Sequence, residues 1–137
     1  MRGRQKLYDA SAFLNLILTE GSNSLSILSG QTVLDLTLYE IGNSIWRIQH
    51  LQKKITREEA CSLLDSCVQI ISSMNVLDVV GIENQVKEIA SDNGQSFYDS
   101  AYLAVAKKHG LELVTDDKKL LKVASDCKIR ASESGSR

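Results

Sequence analysis

SFYDSAYLAVAKKHGLELVTDDKKL, residues 96–120, holds a helix, a strand and the start of a second helix in one run. Ser96 stands where a side-chain oxygen can cap a helix, apolar residues recur at helical spacing through Ala106, and Gly110 is placed to close the element. LELVT (111–115) then reads as a short buried strand and DDKKLLKVASD (116–126) as a last helix. With Phe97 as origin and about 100° per residue, Tyr98, Tyr102, Val105 and Ala106 fill one apolar sector of the first helix. Asp99 falls between Ala106 and Leu103, inside the apolar side, while Ser100, Lys107 and Lys108 make the polar side. An ionised carboxylate in such a sector is costly unless it is paired, hydrogen-bonded or bound to a cation.

Working outward, KLYD (6–9) is a short apolar segment ending in an acid, and ASAFLNLILTEG (10–21) reads as a helix stopped by Gly21. SNSLSILSG (22–30) suggests a short helix, and QTVLDL (31–36) a buried strand. In TLYEIGNSIWRIQHLQKK (37–54), Leu38, Ile41, Ile45 and Ile48 stand at helical spacing. Thr56-x-x-Glu59 is a capping-box start for a helix running to Met74. NVLDVV (75–80) is a strand candidate, IENQVKEIASDNG (82–94) a short helix, and CKIR (127–130) a possible edge strand before a frayed end, ASESGSR (131–137).

Short apolar strands alternating with helices predict an α/β fold: a parallel sheet with helices on both faces. Ligands in such folds bind beyond the carboxyl ends of the strands. Asp9 closes the first strand, Glu40 follows VLDL, and Asp116 and Asp117 follow LELV, so acids far apart in sequence are expected on one edge of one sheet.

Each acid also has a plain structural reading. Thr37-x-x-Glu40 has capping-box form, Ser96-x-x-Asp99 is a close relative of it, and Thr115 can cap the last helix with Asp116 and Asp117 in its first turn. Arg47 and Lys118 are available as ion-pair partners, and Asn43 and Ser44 are helical neighbours able to orient Glu40. Yet two carboxylates ~4 Å apart repel by about 4 kcal/mol at an effective dielectric of ~20. A gathering of acids therefore calls for a divalent cation, and oxygen-only ligands suit Mg²⁺ or Mn²⁺ rather than zinc.

DASAFL (9–14), LTLYEIGNSIW (36–46), YDSAYLAVAKKHG (98–110) and LVTDDKKL (113–120) together resemble the acidic motifs of the PIN-domain family, closest to the VapC-type toxins of toxin–antitoxin pairs. The resemblance covers about residues 6–125. It implies a three-layer α/β/α PIN-like domain and Mg²⁺- or Mn²⁺-dependent cleavage of RNA. Carried over position by position, the metal-binding and catalytic acids are Asp9, Glu40, Asp99 and Asp117. The family's Thr-x-Asp pattern selects Asp117, with Asp116 in support, and Ser11 and Thr115 match polar positions that orient acids or water. A homodimer and a small antitoxin protein covering the acidic pocket are the implied partners. Leu63, Leu64, Val68 and Ile71 can form such an interface, or pack within the monomer. RNA would be gripped by Arg47, Lys107, Lys118 and Lys119, with Lys108 and Lys122 nearby. Tyr98 and Tyr102 can stack bases or pack in the core.

The 137 residues suggest one domain, 1–130, with a flexible tail over 131–137. Net charge is -1, so the chain is no strongly basic nucleic-acid module and RNA binding must rest on a local patch. Three cysteines without a C-x-x-C argue against a disulfide framework or zinc site. The absence of a long apolar run or a signal-like N-terminus leads us to expect a cytoplasmic protein without a membrane span. The competing functional reading is a non-catalytic PIN-like scaffold for RNA or protein. A phospho-acceptor domain of receiver type would place its acidic pair early, whereas here the pair is late.

Overall fold

The computed structural model describes residues 4–135. In chain order the elements are β1 (Lys6–Tyr8), α1 (Ala10–Glu20), a 3-10 turn (Gly21–Asn23), α2 (Ser24–Leu28), β2 (Thr32–Leu34), α3 (Asp35–Trp46), a π-helical turn (Arg47–Leu51) and α4 (Arg57–Ile71). There follow β3 (Asn75–Leu77), α5 (Glu83–Asn93), α6 (Phe97–His109), β4 (Glu112–Val114), α7 (Lys118–Asp126) and β5 (Ala131–Ser132). The strands form one sheet, ordered β3-β2-β1-β4-β5 and parallel throughout.

Strand side chains alternate between faces, and that alternation divides the core in two. Leu7, Leu34 and Leu113 pack with α5, α6 and α7 on one face. Tyr8, Val33 and Val114 pack with α1, α2, α3 and α4 on the other. The expected three-layer α/β/α arrangement is therefore the observed one. Among the described residues no helix is long and apolar enough to cross a membrane.

Several boundaries differ from the sequence expectation. The strand expected over QTVLDL stops at Leu34, and α3 begins at once at Asp35. Asp35 Oδ1 accepts from the Leu36 amide at 2.8 Å, and Thr37 Oγ1 accepts from the Leu34 amide at 3.0 Å. These bonds satisfy amides that a helix start leaves unpaired, so Thr37 belongs to the beginning of α3 and the Thr37-x-x-Glu40 capping box does not form. The box at Thr56 does form, with Thr56 and Glu59 exchanging bonds of 2.8 and 3.0 Å. Leu38 lies outside the apolar stripe of α3 and is 39% exposed, while Ile41 and Ile45 are buried.

The edge strand falls on Ala131–Ser132 instead of 127–130. Residues 127–130 are used to turn out of α7: Lys128 adopts a φ of 59° and the Ile129 amide returns to Ala124 O. The segment 131–135, expected to be part of a tail, is thus tied to the sheet, with Leu113 N–H donating to Arg130 O and Thr115 N–H to Ser132 O. Residues 136 and 137 lie outside the described residues.

α6 departs furthest from its helical wheel. Every residue from Ser100 to Ala106 is buried, because α6 lies between the sheet and α5 and has no wet side there. Ser100, expected on the polar side, is fully buried, and Tyr98, expected on the apolar side, is 64% exposed. The helix ends as expected at Gly110, whose φ of 64° suits a residue without Cβ and whose N–H reaches Ala106 O.

Candidate active site

The strand order reverses at β1: β2 and β3 lie to one side, β4 and β5 to the other. Beyond the carboxyl ends of β1 and β4 lies a cleft of about 210 Å³. Asp9, Glu40, Asp99 and Asp117 all line it, with Ala10, Ser11, Ser44 and Tyr102. Its position is the switch point at which open parallel sheets bind ligands. A larger groove of about 520 Å³ between α5 and α6 is lined mainly by Ile82, Ile89 and Ala104, with Glu88, Lys107 and Lys108 among its polar residues. That groove brings no acids together; the acids singled out in the sequence line the smaller cleft.

Asp9 follows β1 directly and caps α1. Its Oδ1 accepts from the Ala12 amide at 2.9 Å and from Ser11 Oγ at 2.7 Å, and its Oδ2 accepts from Thr115 Oγ1 at 2.5 Å. Three of its four lone-pair positions are thereby filled. Thr115, at the end of β4, also accepts from the Asp117 amide at 3.1 Å, so one hydroxyl sets the positions of two acids. Asp117 is the N-cap of α7, its Oδ1 accepting from the Lys119 and Leu120 amides at 2.9 and 3.2 Å. Helix capping and membership of the cleft therefore coexist in Asp9 and Asp117.

Asp99 lies in the first turn of α6, where its amide donates to Ser96 Oγ at 3.0 Å. Glu40 lies farther inside α3, its Oε1 accepting from Tyr102 OH at 2.7 Å. The Tyr102 hydroxyl also stands 2.7 Å from Thr37 Oγ1. The sequence reading assigned neither Tyr102 nor Thr37 to the acidic cluster. A signal was present: Thr37 precedes Glu40, and Tyr102 follows Asp99, by three residues, which puts each on the face of its neighbouring acid.

The acids sense one another. Burial, chiefly, pushes the carboxyl of Asp9 up from its ordinary value, despite the hydrogen bonds from Ala12, Thr115 and Ser11. Glu40 is raised by burial and then by the charges of Asp9 and Asp99, against the Tyr102 bond. Asp99 is raised by burial and by the Asp117 charge, with Ser96 and Lys119 pulling the other way.

Asp116 is oriented elsewhere. It accepts from Ser134 N–H at 2.8 Å, Ser134 Oγ at 2.6 Å and Asn15 Nδ2 at 2.8 Å, and its own amide donates to Ser11 Oγ at 3.1 Å. Burial works to raise its carboxyl, but the bonds from Ser134 and Asn15 and the Lys118 charge prevail and hold it below the usual value. Asp116 thus fastens the C-terminal segment to α1, and reaches the cleft through the Ser11 bond and through its charge, which acts on Asp9. Asn15 and Ser134, its partners, gave no sequence signal.

Asn43, expected to steer Glu40, is exposed and does not line the cleft; Ser44, one helical turn from Glu40, takes that place. Lys107 and Lys108 are not at the mouth. They sit at the far end of α6, eight and nine residues past Asp99, or about 12 Å along the axis. Lys118 is paired with Glu133 at 3.3 Å and Lys122 with Asp126 at 3.5 Å. Lys119 is near enough to Asp99 for its charge to act there. Arg47 is seven residues beyond Glu40, at the start of the π-helical turn that continues α3, and is exposed. Tyr102 is buried in the core.

Among the described residues no three His, Cys, Asp or Glu side chains form a ready-made metal cage. Mg²⁺ does not require one, since it keeps several waters and takes one or two carboxylates. The donors are all oxygen. Glu40 and Asp117 each commit one carboxylate oxygen to the protein, and Asp9 retains one lone pair. This set fits a hydrated hard cation held partly through water.

Acids at the switch point of a fully parallel five-stranded sheet, with helices on both faces, define a class, and the chain belongs to the PIN domain family: that family's model matches residues 6–126. The relatives narrow the class to VapC proteins. Exonuclease VapC9 of Pyrobaculum aerophilum is 34% identical over 89 residues, 65% of this chain and 63% of that protein, so the chain spans less than two thirds of it. Ribonuclease VapC3 of the same organism is 30% identical over 118 residues, 82% of this chain and 88% of that protein. The crystal structure of PAE2754 from Pyrobaculum aerophilum aligns with a TM-score of 0.78 and 29% identity, covering 96% of this chain and 91% of that one.

Proposed function

We propose that this chain is a VapC-like endoribonuclease that hydrolyses RNA phosphodiester bonds with Mg²⁺ or Mn²⁺, and is the toxin of a toxin–antitoxin pair. One observation carries the reading: carboxylates from the ends of β1 and β4, from α3 and from α6 meet in one cleft, where burial and neighbouring acids raise the proton affinity of Glu40 and Asp99. The nuclease names of both relatives support it.

Asp9 and Asp99 would hold the cation, with Glu40 and Asp117 completing its surroundings directly or through water. When bound, the ion supplies a Lewis acid that polarises a phosphate oxygen and makes a bound water more acidic. Ser11 and Thr115 keep the Asp9 carboxylate from turning away. Glu40 and Asp117, each with an uncommitted oxygen, are the groups placed to receive a proton from the attacking water. Hydrolysis forms one O–P bond from water and breaks one ester P–O bond, so one proton leaves the water and one reaches the departing oxygen. Lys119, whose charge reaches Asp99, and Arg47 steady the phosphates, with Lys118 in reserve behind its pair with Glu133. A homodimer and a small antitoxin would cover exposed apolar surface such as Val68 and Trp46, and the cytoplasm is the compartment where the RNA is met.

Cleavage of linear and circular RNA by wild type and Asp99→Asn, with Mn²⁺ or EDTA, tests the reading together with melting curves lacking RNA. We expect cation-dependent cutting of both RNAs and a cation-dependent rise in melting temperature, both lost in the variant. Binding of RNA without cutting or a cation effect would favour the scaffold. Cutting of linear RNA alone would make the protein an exonuclease.

A further inference from the structure

We propose that Tyr102, backed by Thr37, is a positioning residue: it clamps one oxygen of Glu40 so that only the other is presented to the cation or its water. The proposal rests on the nuclease reading above. It is carried by a chain of hydrogen bonds whose direction is forced. Glu40, as a carboxylate, only accepts, so the single phenol proton of Tyr102 points at Oε1, 2.7 Å away. The Thr37 hydroxyl, 2.7 Å from the phenol oxygen, must then donate to it. That leaves Thr37 Oγ1 to accept the Leu34 amide at 3.0 Å. Every proton in the sequence Leu34 N–H, Thr37 O–H, Tyr102 O–H points toward the acid. Bonds aligned this way strengthen one another, and the last is charge-assisted.

Location favours positioning over surface decoration. Thr37 is 0% and Tyr102 1% exposed, so neither hydroxyl is exchanged for bulk water. The chain also joins three elements: it begins at the end of β2, crosses to α6, and ends on α3. Tyr102 stands one turn beyond Asp99 on α6, so the helix that supplies one acid also sets the orientation of another. Residues that orient metal-binding carboxylates typically change metal affinity or activity by about 10–100-fold when removed.

The test is Mn²⁺ binding by calorimetry without RNA, together with kcat and KM for cleavage. The proteins are wild type, Tyr102→Phe, Thr37→Val, Thr37→Ser, Glu40→Ala and the double variant Tyr102→Phe/Glu40→Ala. Tyr102→Phe keeps the ring in the core, and Thr37→Ser restores the hydroxyl if Thr37→Val proves too disruptive. We expect Tyr102→Phe to weaken Mn²⁺ binding about 10-fold and lower kcat with little change in KM, with Thr37→Val milder and Thr37→Ser near wild type. In the Glu40→Ala background Tyr102→Phe should add less than about a twofold further loss, since there is no carboxylate left to hold. An equal loss in both backgrounds, or none in either, overturns the positioning role and leaves the nuclease reading standing. A wild type that neither binds Mn²⁺ nor cuts RNA overturns both.

Discussion

Asp99 shows what a buried carboxylate beside another acid does to stability. Its carboxyl is raised by burial and by Asp117, and those of Asp9 and Glu40 by burial first. The native protein without metal therefore binds protons more readily at these sites than the unfolded chain, whose values are near 3.8 for Asp and 4.5 for Glu. The linkage relation then gives a stability that falls as pH rises from about 4 through the raised values. Asp116 works in the opposite sense, but its lowered carboxyl titrates below 3.8, outside that interval. Melting temperatures in EDTA should decline between mildly acidic and neutral pH, and Mg²⁺ should flatten the curve. Asp99→Asn should melt a few degrees higher than wild type at pH 7 in EDTA while losing more than about 100-fold in cleavage, beyond the range for groups one step from a metal. The neighbouring pair separates by role. Asp116→Ala should cost roughly 1–2 kcal/mol through the Ser134 and Asn15 amides and the Ser134 hydroxyl left unpaired, with cleavage kept within a few-fold. Asp117→Ala should cost about 1 kcal/mol for the lost cap and abolish cleavage; denaturant melts and RNA assays read both.

At the scale of the element, α6 sets the geometry and also shows where periodicity misleads. Its existence, its Ser96 cap and its Gly110 stop were all legible, because capping and positive φ are local requirements. Its orientation was not. A wheel assumes one wet side, and a helix enclosed between α5 and the sheet has none, so fully buried Ser100 was taken for the polar side. Lys107 is exposed as the wheel expects, but the length of the helix carries it to the end away from the cleft. Lys119→Ala should accordingly weaken RNA binding and reduce the slope of log affinity against log salt by about one. Lys107→Ala should leave both unchanged; binding measured over a salt series with Asp99→Asn protein distinguishes them.

For the whole molecule, the C-terminal segment is a working part of the sheet. β5 covers the edge of β4, and Ser134 is bonded twice to Asp116 beside the cleft. Deleting residues 131–137 should lower the melting temperature by several degrees and weaken cleavage through loosening of the β4–α7 turn, read by calorimetry and RNA assay. Composition misread this segment, since ASESGSR has the polarity of a frayed end and its anchor, Asp116, lies 18 residues earlier.

By itself the sequence determined the alternation of strands and helices, hence the parallel three-layer fold, and the identity of the acids. These follow from local periods, caps and breakers, and from motifs short enough to be read along the chain. Tertiary structure alone decided that Asp116 turns to Ser134 and Asn15, that Tyr102 bonds Glu40 with Thr37 behind it, and that the lysines of α6 stand away from the cleft. Those outcomes depend on the register of β1 against β4 and on the hydrogen bonds that join α3 to α6 beyond the strand ends. Both are contacts between residues tens of positions apart, and no local period encodes them.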